Sequence, residues 1–293
     1  MGDALRKAIL LLAMGAIANP SAGGEWEFAL EWTGGLAGVE DIAIDSDGMV
    51  YVLDRPNGRI VVFTPDGQYV REQGGFDDPT GLAIDENNFV YVQERCVIYR
   101  YSQLFEYEGG WGSCLGLGDL QLNRGLDARY GVVWVATIAD VLRFTTKGSY
   151  LGRLNRLGGG NDVHIVPDES IWVSVEFDQS GLVRHYAVDG QILAEWNTIL
   201  PGEESSYPFD IAVDEDGLVY VSDGRIKIFT ADGVLVDALE PDLGFYSDAE
   251  LYGNDTLYGG KALNTRIAKY RRIPAAVESS TWGRIKVVFS QAR

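Results

Sequence analysis

From residue 25 onward the chain is built of short apolar stretches broken at close intervals by Gly, Asp and Pro. The first unit shows the grammar. Residues 41–45 (DIAID) form a brief inner strand, and Ser46-Asp47-Gly48 follows as a turn, because Asp-Gly supplies the positive φ angles that tight hairpins require. Residues 49–53 (MVYVL) and 59–63 (RIVVF) read as the second and third strands. Pro65-Asp66-Gly67 turns the chain again, and residues 68–72 (QYVRE) make an outer strand. Residues 210–223 (DIAVDEDGLVYVSD), 225–229 (RIKIF) and 231–239 (ADGVLVDAL) repeat the unit closely. After residue 22 no segment sustains an apolar stripe with a 3.6-residue period, so the pattern predicts an all-β fold.

Self-comparison turns this unit into an architecture. Tyr51, Tyr91, Trp134, Trp172, Tyr220 and Tyr258 fall into one column. Phe63, Tyr101, Phe144, Tyr186, Phe229 and Tyr270 fall into a second, and both recur at about 40 residues. Six such units predict a six-bladed β-propeller of four-stranded antiparallel blades. The sixth unit stops at Tyr270-Arg271-Arg272-Ile273-Pro274 without an outer strand. Residues 25–32 (EWEFALEW) resemble residues 191–196 (QILAEW), so the N-terminal strand is expected to complete the last blade and close the ring. The expected divisions are a leader over residues 1–22, the propeller over 23–273, and a linker and C-terminal tail over 274–293.

The units resemble NHL repeats, whose pattern runs P-x-G-[IL]-A-[VI]-D-x-x-G-x-[VI]-Y-V-x-D and then R-[IV]-x-V-[FY]. Units one and five match nearly throughout. Pro79-Thr80-Gly81-Leu82-Ala83-Ile84-Asp85 carries the match in unit two, and Arg266-Ile267-Ala268-Lys269-Tyr270 in unit six. Units three and four diverge, with Asp127 and His164 where the others have alanine. The resemblance spans about residues 25–272. It implies a propeller that presents one rim to a protein, glycan or other ligand, and it implies no reaction by itself. Asp54 with Arg59 and Asp223 with Arg225 match the family's Asp…Arg positions, and are expected as ion pairs bracing adjacent blades.

Charge and the termini narrow the setting. The formal charge of −19 repels phosphate backbones, which argues against nucleic-acid binding and fits either a solvated acidic surface or one that attracts cations or basic partners. Arg6 and Lys7 precede an apolar run over Ala8–Ala18, the form of a secretory signal peptide, and that run is too short to cross a bilayer. The chain is therefore expected outside the cytoplasm, as a secreted, periplasmic or cell-surface protein, monomeric and without a transmembrane segment. Cys96 and Cys114 are its two cysteines; a disulfide and two buried thiols both remain open. Residues 280–289 (STWGRIKVVF) suit either a strand packed on the ring or an attachment or sorting tag.

Candidate chemistry lies where the inner strands begin. Asp41, Asp162, Asp210 and Asp248 share one aligned position, at which units two and three carry Gly81 and Gly125. Four carboxylates facing one channel repel each other unless a cation, water or arginine intervenes, and oxygen-rich clusters suit Ca²⁺ or another divalent cation. They are metal-ligand candidates; the alternative is that they bond loop amides of neighbouring blades. Two residues further along, Asp127, His164 and Glu250 stand in one column, the candidates for a general base or proton-transfer group. The acidic hairpins at 45–48 and 214–217 recur with the repeat and are explained by turn chemistry.

No serine-hydrolase elbow, phosphate loop or His-Glu-x-x-His motif is present, and two histidines cannot make a three-histidine zinc site. Two functions lead, ahead of a purely structural envelope protein tethered by its tail. One is a binding or scaffold module for a protein or glycan. The other is a metal-dependent hydrolase resembling gluconolactonase-like propellers, in which Glu and Asp or Asn hold a divalent cation in the channel. Asn161 and Asn123 are the nearest asparagines for that role.

Overall fold

The computed structural model describes residues 25–112, 125–137, 140–155, 160–175, 181–240, 245–261 and 265–273. They form six four-stranded antiparallel sheets, the blades of a propeller. Blade 1 runs through Asp41–Ile44, Val50–Asp54, Arg59–Phe63 and Tyr69–Gly74, within two residues of the strands read from sequence. Blades 2 to 5 begin with the inner strands Pro79–Ile84, Leu126–Arg129, Asp162–Ile165 and Asp210–Val213. Blade 6 takes its three inner strands from Tyr246–Ile273 and its outermost strand from Glu25–Trp32. The expected closure by the N-terminal strand is what the ring contains. Among the described residues no helix is long and apolar enough to cross a membrane.

The second strand of each blade is covered on both faces, which is why it reads as a continuous apolar run. Val50–Asp54, Val132–Ala136 and Ile171–Val175 are buried at every position. Outer strands such as Tyr69–Gly74 and Ile192–Asn197 instead alternate between exposed and half-buried positions. The core accordingly lies between blades, in six clusters that each join neighbours. Tyr51 and Leu53 pack on Leu82 and Val92 between blades 1 and 2, and Tyr258 and Ile267 pack on Val50 and Val52 between blades 6 and 1. Burying aliphatic and aromatic side chains of this size contributes roughly 1.5–3 kcal/mol each, so most of the fold's stability sits at these seams.

Two details explain residues that sequence left as turn chemistry or loose similarity. In blades 1 to 5 the outer pair slips register just before the second aromatic column, as between Val62 and Phe63 or Ile228 and Phe229, a bulge that sharpens the blade's twist. The tryptophans closing three outer strands each lie against a glycine in the next blade's outer turn. A Cβ at Gly67 would sit 2.7 Å from the Trp32 ring, and one at Gly233 would sit 2.5 Å from that of Trp196. Gly67 and Gly233 also have φ of +76° and +83°, so both the turn and the ring demand glycine there.

The leader over residues 1–22, the tail over 274–293, Cys114 and Asn123 lie outside the described residues. Cys96 is disulfide-bonded, which decides against free thiols.

Candidate functional site

The inner strands bring their aligned aspartates to the channel wall, and each uses one carboxylate oxygen to hold the next blade. Asp248 Oδ2 accepts the Ile42 amide at 2.9 Å and Asp41 Oδ2 accepts that of Leu82 at 2.6 Å. Asp162 Oδ2 accepts from Ile211 at 3.2 Å and Asp210 Oδ2 from Ala249 at 2.7 Å. Asp127 does the same from two positions further along its strand, taking the Ile165 amide at 2.8 Å. Blades 2 and 3 carry Gly81 and Gly125 at the ring position instead. A Cβ at Gly81 would stand 2.5 Å from the Leu126 side chain, and one at Gly125 would stand 2.0 Å from Asp162 Oδ1. The missing carboxylates are therefore the result of close approach between blades.

The ring carboxyls lie deep in the fold, while Asp41, Asp162 and Asp210 keep part of their surface open. Burial, followed by repulsion from Asp210, pushes Asp41, Asp162 and Asp248 well above the ordinary carboxylate range. Burial also raises Asp210, whose contact with the Asp162 carboxyl and two backbone amides oppose the shift. The channel cavity measures about 30 Å³, room for one or two waters.

A second layer crosses the channel below the ring. Arg129 Nε lies 3.1 Å from Asp127 Oδ1, and its Nη2 lies 3.5 Å from Glu250 Oε1, so one guanidinium links blades 3 and 6. Glu250 is raised to about 8 by burial, against the pull of Arg129 and helped by Asp127 and Asp210. His164 is lowered to about 3, first by burial and then by Arg129, and its ring hydrogen-bonds the Val213 backbone. Its Nδ1 lies 3.9 Å from Asp127 Oδ2, an oxygen already occupied by the Ile165 amide. A neutral, buried imidazole of this kind is a weak base at neutral pH. Glu250 is the group of this layer placed to gain or lose a proton near neutrality.

The structure joins Asp127, Glu250 and His164 around Arg129, a residue the sequence reading passed over. The signal was present: Arg129 stands in the column of Asp45, Asp85 and Asp214. Those aspartates hold their hairpins. Asp45 Oδ1 accepts the Asp47 and Met49 amides, and its Oδ2 accepts the Tyr51 hydroxyl at 3.2 Å, an arrangement repeated by Asp85 with Tyr91 and Asp214 with Tyr220. An arginine in that place frees its side chain to enter the channel.

Of the two expected Asp…Arg pairs, Asp54 and Arg59 meet at 2.9 Å, and Asp54 Oδ1 also accepts the Ala37 and Gly38 amides. Asp223 differs. It pairs with buried Lys227 at 2.5 Å, while Arg225 turns to Glu203 and to Glu240 at 2.7 Å. Lys227 is enclosed on every side, and an ammonium without a carboxylate partner there would be far costlier than a rim arginine left in water.

Could the acidic ring hold a divalent cation? Among the described residues no three His, Cys, Asp or Glu side chains converge as a metal-ligand set, and one oxygen of each ring carboxylate is already spent on an amide. Asn161 turns away, its Nδ2 donating to the Pro208 carbonyl at 2.7 Å.

Residues 36–63 match the family model for the NHL repeat. No curated protein sequence matches the chain. Among solved structures, a gluconolactonase from Xanthomonas campestris is similar, with 17% identity, a TM-score of 0.68, and coverage of 88% of this chain and 99% of that one. Virginiamycin B lyase from Staphylococcus aureus is similar at 15% identity and a TM-score of 0.62, covering 85% of this chain and 100% of that one. Its catalytically inactive variant with quinupristin gives 14% identity and a TM-score of 0.60, covering 80% of each chain. At such identities the likeness shows the propeller fold alone.

Proposed function

We propose that this chain is an exported NHL-type propeller that acts as a binding or scaffold module for a protein or glycan ligand at one rim. One observation carries the reading: the acidic channel is a fastener, since four aligned carboxylates each hold an amide of the next blade. Export is supported by the disulfide at Cys96, since such bonds persist in oxidising compartments, and by the signal-like residues 1–22.

The alternative is a metal-dependent hydrolase, favoured by Glu250, whose proton affinity near neutrality suits a general base. Thermal unfolding of residues 23–293 in EDTA, and then with Ca²⁺, Mg²⁺, Mn²⁺ or Zn²⁺, decides between them. The binding module predicts a melting temperature indifferent to these ions. A cation bound only by the folded state adds about 2.7 kcal/mol at a hundredfold excess over its dissociation constant. Such a rise, abolished in Asp162→Ala or Asp210→Ala, would overturn the reading and direct the search to lactone and ester substrates.

A further inference from the structure

Blade 2 departs from the repeat on its outer wall. In blades 1, 3 and 4 the outer strand sets Glu72, Arg153 or Glu195 opposite Val61, Leu142 or Arg184 of the third strand. In blade 2 the same position pairs Tyr99 with Gly110 of the outer strand Tyr107–Trp111. The ring itself demands a glycine there, since a Cβ at Gly110 would stand 3.0 Å from Tyr99 Cδ1. Its neighbour Gly109 has φ of +143° and open space where a Cβ would go. Two consecutive residues of this strand therefore bring no side chain to cover Tyr99, whereas the aligned Val61 and Leu142 are buried.

Four aromatic rings meet one after another on this wall. Phe76, from the segment that leads into blade 2, lies against Tyr101 with centroids 6.0 Å apart and planes at 84°. Tyr101 meets Tyr107 at 5.9 Å and 65°, and Tyr107 meets Tyr99 at 6.4 Å and 57°. None of these pairs is stacked face to face, so ring surface stays open to solvent. Tyr107 is 64% exposed and the other three are half-buried. Burial, followed by Glu94 and the two neighbouring tyrosines, raises the Tyr101 hydroxyl above its ordinary value, which keeps it a donor at neutral pH. A contiguous exposed aromatic patch marks a contact surface, and hydroxyl-bearing rings suit a partner that is apolar on its faces and polar at its edges.

We propose that the outer wall of blade 2 binds a neutral glycan with an extended, all-equatorial, β-linked chain. Equatorial hydroxyls leave C–H groups on both faces of each sugar, and these slightly positive groups pack on the negative faces of aromatic rings. The tyrosine hydroxyls then bond the sugar hydroxyls at the edges. Charge narrows the class, because a chain at −19 repels acidic polysaccharides. A protein partner fits less well: its anchoring side chains need an enclosed apolar pocket, and this strand sets bare glycine backbone beside the rings. The surface lies outside the channel and goes beyond the binding-module reading, adding a glycan contact on the wall to whatever the rim holds.

Cellohexaose and chitohexaose are the probes, titrated calorimetrically into the purified protein at pH 7, with maltohexaose, whose α-linked chain curls, as the control. At least one probe should bind saturably, and more tightly than maltohexaose. Tyr107→Ala removes the most exposed of the four rings and should weaken binding by roughly tenfold. Tyr107→Phe, which keeps the ring and the fold, should weaken it by about threefold through the lost hydroxyl. Tyr69 holds the aligned place in blade 1 and is 58% exposed, so Tyr69→Ala should leave the affinity unchanged. The inference is overturned if neither probe binds, if maltohexaose binds as tightly, if folded Tyr107→Ala binds unchanged, or if Tyr69→Ala weakens binding as much. A proline-rich peptide that binds this wall where the sugars do not would assign it to a protein and overturn the inference as well. Each of those results leaves the binding-module reading standing, because a divalent-ion melting shift, and not sugar binding, decides that reading.

Discussion

At the scale of single residues, the channel shows how one environment gives identical side chains different work. Glu250 and the ring aspartates are held protonated further into the neutral range than carboxyls in water, chiefly by burial. The consequence for stability has a definite sign. A carboxyl whose folded pKa is raised binds more protons folded than unfolded between its two pKa values, so stability is fullest below the unfolded value and falls as pH climbs to the folded one. For Glu250 that window runs from 4.5 to about 8. The urea midpoint of the wild type should therefore decline from pH 5 to pH 8, and Glu250→Gln should flatten the curve by roughly 2–4 kcal/mol. Parallel curves for the two proteins would show that Glu250 is not a contributor. The ring offers a second comparison. Asp41→Ala strands the Leu82 amide and should cost about 1–3 kcal/mol, whereas Asp41→Asn keeps an acceptor and loses the repulsion from Asp210, so at pH 8 it should equal or exceed the wild type in the same unfolding assay.

Among the elements, the N-terminal strand carries a large structural responsibility, because it completes the blade built from the last three described strands. Glu31 anchors it: the carboxylate pairs with Lys261, which is 3% exposed, and with Arg266 at 2.6 Å. Removing one partner of a buried pair leaves the other charge uncompensated, at a cost of about 3–5 kcal/mol. Glu31→Ala should therefore lower the denaturant midpoint markedly, while Lys261→Met, which removes the buried charge itself, should recover part of the loss when added to it. No recovery in the double variant would mean that Glu31 acts through something other than Lys261. This strand was legible in the sequence because its pattern copies another outer strand, as were the Asp-Gly hairpins and the aspartate column, all of which repeat in phase. What repeats can be aligned. Arg129 and Lys227 were not read because each departs from the repeat, and Arg129 takes its meaning from Glu250, three blades away, which sequence spacing does not bring near. The disulfide at Cys96 was undecided for a similar reason, since spacing alone does not set whether two thiols meet.

For the whole molecule, the ring is stapled at both ends of its inner strands, and the staples are unevenly distributed. Carboxylates hold amides across five of the six seams: four at the start of the inner strands, Asp41 to Leu82, Asp162 to Ile211, Asp210 to Ala249 and Asp248 to Ile42, and one further along, Asp127 to Ile165. At the other end the hairpin tips link, as where Ser46 donates to Asn88 at 3.0 Å, Glu215 donates to Asn254 at 3.0 Å and the Tyr252 hydroxyl donates to the Ser46 carbonyl at 3.2 Å. The blade 2–3 seam has Gly81 in the ring, and its hairpin link is the Tyr130 amide on Glu86 at 3.1 Å. Its apolar cluster, with Tyr91 and Ile98 against Leu126 and Val133, is as well buried as the others. The seams thus differ in polar fastening far more than in packing. A net charge of −19 pushes outward on all of them alike, so the ring should breathe first where an amide-to-carboxylate bond is missing. Native-state hydrogen exchange tests this directly. The Leu126–Arg129 strand should exchange at lower opening free energy than Asp41–Ile44 or Asp210–Val213, and added salt should narrow the gap by screening the repulsion. Uniform protection across the inner strands would instead mean that packing alone governs opening.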